Sequence, residues 1–168
     1  MAEIVNRVAE SKLLTFNLED YYVDGLRKQI DLKQWLYEGF VLREKEFRKA
    51  LKAFDWQQYD NTYVALYCST DAIVPTWAYM LVATHLKSYA KKVVYGDLEV
   101  LESILYTEKL QNIDLSEYLD KPVIVKGCSA KPVPQNAYLL IISKLQDYAK
   151  SIMFGEACSA VPLYKKKK

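Results

Sequence analysis

Three cysteines are each followed by serine: Cys68-Ser69, Cys128-Ser129 and Cys158-Ser159. Each pair runs through a variable loop into Val-Pro, at Val74-Pro75, Val133-Pro134 and Val161-Pro162. Thiolates are soft ligands, and three of them can hold zinc if Asp71, Asp97, Glu156 or a water completes the tetrahedron. Three cysteines can also hold an iron–sulfur cluster with one iron open to a partner. The spacing is long and unlike a paired Cys-x-x-Cys, so small structural cysteines at strand ends are the competing reading.

A second chemistry is thiol catalysis, since a helix N-terminus favours a thiolate. The residues it would need are missing. The arginines, Arg7, Arg27, Arg43 and Arg48, all lie early in the chain, away from the cysteines. The single histidine, His85, falls mid-helix and is replaced by Lys144 in a related stretch. The third class is a non-catalytic small-ligand or protein-interaction module. Its site would use Ser69, Ser129, Ser159, Trp77 and loop N–H groups, which favour an anion at helix N-termini. No nucleotide cofactor is signalled: there is no Gly-x-Gly-x-x-Gly and no P-loop.

The elements that would position these residues come from a repeated stretch, Cys68–Asp97 and Cys128–Glu156. Pro75, Ala78, Tyr79, Leu86, Tyr89, Lys91 and Gly96 meet Pro134, Ala137, Tyr138, Leu145, Tyr148, Lys150 and Gly155 at one constant offset. Short apolar runs at Tyr63–Tyr67, Lys92–Tyr95, Pro122–Val125 and Ser151–Phe154 read as strands. Helices are expected from Pro75, from Leu98 with Asp97 as its cap, and from Pro134. This alternation predicts an α/β fold with a parallel sheet built from two repeated β-α-β units, in the order 2-1-3-4. Such a sheet would carry Cys68, Cys128, Cys158, Asp97 and Glu156 to one carboxyl edge.

The chain reads as one domain of 168 residues. Residues 1–60 form an α+β extension, with a short helix over 2–10, strands at Leu13–Leu18 and Lys28–Leu32, and a helix at Arg43–Phe54. Residues 61–164 are the repeated core, and 165–168 a solvated basic tail. The formal net charge is +2, and the body is slightly acidic without the terminal lysines, which argues against nucleic acid as the main partner. No apolar run is long enough to cross a membrane. An odd cysteine count and an opening without the layout of a secretory signal predict a reducing cytoplasm. A homodimer is the default expectation for a soluble oligomer.

The runs CSTDAIVPTWAYM, YAKKVVYGDLE, KGCSAKPVP and SIMFGEACSAVPLYKKKK resemble an uncharacterised bacterial family, the domain-of-unknown-function family 2480. The resemblance extends to the opening EIVNRVAES. It implies no activity. It implies an association with iron–sulfur cluster assembly, and so an accessory role beside iron–sulfur assembly proteins.

Overall fold

A computed structural model of the chain describes residues 13–127 and 130–168. The expected helix over 2–10 lies outside them. Seven strands are present among the described residues: β1 (Leu14–Phe16), β2 (Leu26–Asp31), β3 (Thr62–Tyr67), β4 (Lys92–Tyr95), β5 (Pro122–Val125), β6 (Ser151–Glu156) and β7 (Ser159–Lys165). The helices are α1 (Glu44–Ala53), α2 (Thr76–Leu86), α3 (Leu98–Leu110) and α4 (Gln135–Leu145). The fold is α/β, with two sheets ordered β1-β5-β6-β7 and β2-β3-β4.

The chain divides into two compact units. A central unit spans Asp24–Glu102, and a terminal unit takes the residues up to Val23 together with Ser103–Lys168. In the central unit all strand pairs are parallel. Val64, Ala65 and Leu66 of β3 are all buried, which is why TYVALY lacks the alternation of a half-exposed strand. Helix α1 sends Phe47 and Leu51 into the core, while Glu44 and Arg48 pair at 3.0 Å on its solvent face. These residues pack with Ile30, Leu32, Val82 and Leu86 into one core. Each fully buried leucine of this kind contributes roughly 1.5–3 kcal/mol. The Arg27 guanidinium grips Glu102 through two nitrogens, at 2.5 and 3.1 Å, and both side chains are nearly buried.

The terminal unit repeats this frame. Its first three strands are also parallel, around a core of Phe16, Leu18, Leu110, Val123, Ile141, Leu145 and Ile152. The offset that links the repeated stretches pairs Phe47 with Tyr106, Leu51 with Leu110, and Tyr59 with Tyr118, all buried. Asn61 and Asp120 both take a left-handed backbone, φ 58° and 55°. Their N–H groups bond Tyr89 O and Tyr148 O respectively. Asp55 accepts from Gln57 N–H as Asp114 does from Ser116 N–H. The N-terminal strands correspond too. Asn17 follows β1 and caps the next turn through Glu19 N–H, while Asp31 ends β2 and caps through Lys33 N–H.

The expected strand order 2-1-3-4 is not found: β3 and β4 lie in one sheet, β5 and β6 in the other. The reason is that each β-α-β segment completes its sheet with its own early strand, β2 beside β3 and β1 beside β5. The early segment is therefore part of both sheets. The expected basic tail is also partly structured. Lys165 closes β7 opposite Ser151, and the Lys166 ammonium sits 3.1 Å from Asp120.

Candidate functional site

Among the described residues, the carboxyl edge of the central sheet gathers the most chemistry. Asp31 leaves β2, Cys68 leaves β3 and Asp97 leaves β4, on neighbouring parallel strands. Tyr79, in the first turns of α2, stacks edge-on to Tyr95 at 4.9 Å. One Asp31 oxygen accepts from Lys33 N–H and from Ser69 N–H, at 3.0 and 3.1 Å. Burial works against its charge, but the Ser69 hydroxyl, those two N–H groups and the Lys33 ammonium outweigh it and hold the carboxyl below the usual aspartate value. Burial also pushes the Tyr79 phenol up to about 12, with smaller electrostatic contributions from the neighbouring Tyr95, Cys68 and Asp31.

Cys68 is half-buried and free, with its sulfur 3.4 Å from the Thr70 hydroxyl. Thr70 donates onward to Gly39 O at 3.0 Å. His85 is elsewhere, in the last turn of α2, where it stacks on Trp56 at 5.1 Å.

Two open clefts border this edge. One, of about 700 Å³, is polar and lined by Gln29, Asp31, Lys33, Gln34, Glu38, Gly39 and Tyr67. The other, of about 580 Å³, is lined by Phe40, Val41, Leu42, Glu44, Asp71, Ala72, Ile73, Pro75 and Trp77. It thus brings together two residues expected at a site, Asp71 and Trp77. It also adds exposed apolar side chains, with Ile73 95% and Phe40 62% exposed.

The remaining candidates are distributed differently from expectation. Asp97 is committed to capping α3, accepting from Val100 N–H at 2.9 Å. Gly96 before it has φ +138°, and a Cβ there would meet Val100 at 2.7 Å, so the turn requires glycine. Ser69 is committed to Asp31. Glu156 and Ser159 face one another at the end of the β6–β7 hairpin, and Cys158 is exposed in its turn. Cys128 and Ser129 lie outside the described residues.

The single shared edge for all five strand-end residues is therefore corrected: Cys68 and Asp97 follow strands of the central sheet, while Glu156 and Cys158 belong to the terminal one. No group of three or more His, Cys, Asp or Glu side chains placed for a metal occurs among the described residues. Extending the constant offset also pairs Cys68 with Gly127 and Ser69 with Cys128, so the two Cys-Ser pairs are one step out of register.

Three of the loop amides are taken by carboxylates of the chain itself. Asp31 takes Ser69 N–H. In the terminal unit Glu19 accepts from the N–H groups of Ala130 and Lys131, the latter at 3.0 Å. Sequence reading passed over Asp31, Glu19 and Tyr95. The available signal was position, since Asp31 and Asn17 each close an early strand.

No helix among the described residues is long and apolar enough to cross a membrane. No curated protein and no solved structure matches the chain. A family model does, over residues 2–166, and by that match the chain belongs to DUF2480, a family described as proteins of unknown function.

Proposed function

We propose that this chain is a non-catalytic recognition module whose ligand site is the carboxyl edge of the central sheet. The observation that carries the reading is the 580 Å³ cleft containing Asp71 and Trp77. Ile73, Phe40 and Val41 stand exposed in it, and such side chains gain by covering an apolar surface. Its acids are Glu44 and Asp71. Glu44 is paired with Arg48, which leaves Asp71 to meet a cation. An aromatic or aliphatic body carrying an amine, free or at a basic peptide side chain, fits this lining. The surroundings of Cys68 support a non-catalytic role: its hydrogen-bond partner is a hydroxyl, and the histidine is spent on Trp56.

The test is a titration with phenethylamine, followed by tryptophan emission and calorimetry. Saturable binding, absent with 3-phenylpropionate and lost in Asp71→Asn, is expected. A flat titration with the amine up to millimolar concentration sinks the reading.

A second reading keeps the thiols as metal ligands. Cys68 and Cys158 are both free and Cys158 is exposed, so both remain open to a soft metal. Zinc or an iron–sulfur cluster, and an accessory role beside iron–sulfur assembly proteins in the cytoplasm, belong to this reading. Anaerobic purification with elemental analysis and visible absorption decides it. Protein that stays colourless and metal-free after reconstitution overturns it.

A further inference from the structure

The two sheets differ at one edge. In the terminal unit, β6 is covered by the antiparallel strand β7. In the central unit the corresponding strand β4 is the last of its sheet among the described residues. Gly96 N–H bonds Leu66 O across the β3–β4 ladder. By alternation the amides of Val94 and Gly96 turn to β3, and those of Val93 and Tyr95 turn to the open edge. Beside that edge lies an apolar groove of about 520 Å³, formed by Thr76, Tyr79, Met80 and Ala83 of α2 with Val93 and Tyr95 of β4. Tyr95 is 70% and Met80 63% exposed. An edge that no described strand covers, beside exposed apolar side chains, is a template for another strand.

We infer that this edge binds a second copy of the same chain, β4 against β4 in antiparallel register centred on Val94. Two observations select this partner. The first is charge. In that register Lys91 stands opposite Asp97 of the other copy, once at each end, and both residues are exposed. The flanks of the strand are thus self-complementary, with Lys91 just before β4 and Asp97, which also caps α3, just after it. The second is the pairing on β6. There, Tyr164 of β7 stands opposite Ile152 and packs on the terminal core. Ile152 is the counterpart of Val93. Pairing about Val94 puts Tyr95 of the other copy opposite Val93, so an aromatic takes the equivalent place. Val93 and Tyr95 then exchange four backbone hydrogen bonds across the two-fold axis, and two three-stranded sheets become one of six.

Sedimentation equilibrium of the full chain tests this. The wild type is expected as a dimer of the 19.5 kDa chain, with amide exchange at Val93 and Tyr95 slowing as concentration rises. Tyr95→Lys places a charge on the edge and should give a monomer with an unchanged circular dichroism spectrum. Lys91→Glu, which turns both cross-strand attractions into repulsions, should weaken association about tenfold. A wild type that stays monomeric at 100 µM (roughly a weak-complex concentration) overturns the inference. So does a dimer that both variants leave intact, or one broken instead by Val161→Lys on β7.

Discussion

The central and terminal units share strand order, core positions and capping bonds, yet their carboxyl edges differ in chemistry. The central edge has Asp31, Cys68, Trp77 and Tyr95, and the terminal unit has Asn17, Gly127, Asn136 and Phe154 in the corresponding places. Tyr79 meets Tyr95 at 4.9 Å, and Tyr138 meets Phe154 at 5.8 Å in the same edge-on manner. At these four places the terminal unit has neutral side chains, and the carboxylate on its loop amides comes from Glu19 instead. The frame therefore does not require Cys68, Trp77 and Tyr95 at these places, which leaves them available for recognition.

The largest expected effect sharpens what is peculiar to the central unit. Glu102→Ala takes the carboxylate from a nearly buried Arg27 and should cost about 3–5 kcal/mol in urea unfolding. Replacing both residues by apolar ones should recover much of it. Next, Leu86→Ala and Leu145→Ala remove fully buried leucines at corresponding sites. Each should cost about 2–5 kcal/mol, and a difference between them above about 1 kcal/mol would break the equivalence of the two frames.

Smaller effects concern titration. Asp31 has a lowered value when folded, so its contribution is complete above the ordinary aspartate value of 3.8 and is lost as pH falls through the lowered one. Asp31→Asn, which installs the cap residue of the terminal unit, should flatten stability against pH in that acid range. For Tyr79 the sign is opposite. Its folded value of about 12 exceeds the ordinary 10.0, so its contribution is complete below pH 10 and fades as pH rises to 12. Tyr118 is pushed up to about 12 by burial as well, so Tyr79→Phe should shrink the latest phase of a phenolate absorbance titration by one phenol and leave the neutral-pH spectrum unchanged.

Most elements are legible in the sequence because their causes are local. Pro75 and Pro134 start α2 and α4, Asp97 caps α3, and apolar runs mark β3 to β6. Strand pairing is not local. Nothing in LTF or LRKQID says which later strand each will join, since a parallel ladder joins distant segments. β7 is hidden by Pro162 and the lysine run, and its turn, Ala157-Cys158, lacks the glycine or asparagine that marks a tight hairpin. Pro162 is tolerated because β7 is an edge strand. The candidate site is legible in Asp71 and Trp77. Phe40 and Ile73 were not, because an exposed apolar side chain in a loop shows its use only when its neighbours are placed.

The order of strands along the chain also dictates an order of folding. β2, β3 and β4 are contiguous within the central unit, so their sheet can close soon after they leave the ribosome. β1 is made first yet pairs with β5, beyond the entire central unit, so its partner arrives late and its loop is costly to close. Pulse-labelled hydrogen exchange during refolding should protect Val64 and Leu66 before Val123 and Val125. Until β5 is synthesised, Phe16 and Leu18 remain exposed apolar residues on a nascent chain, which makes them the natural points for a chaperone to hold.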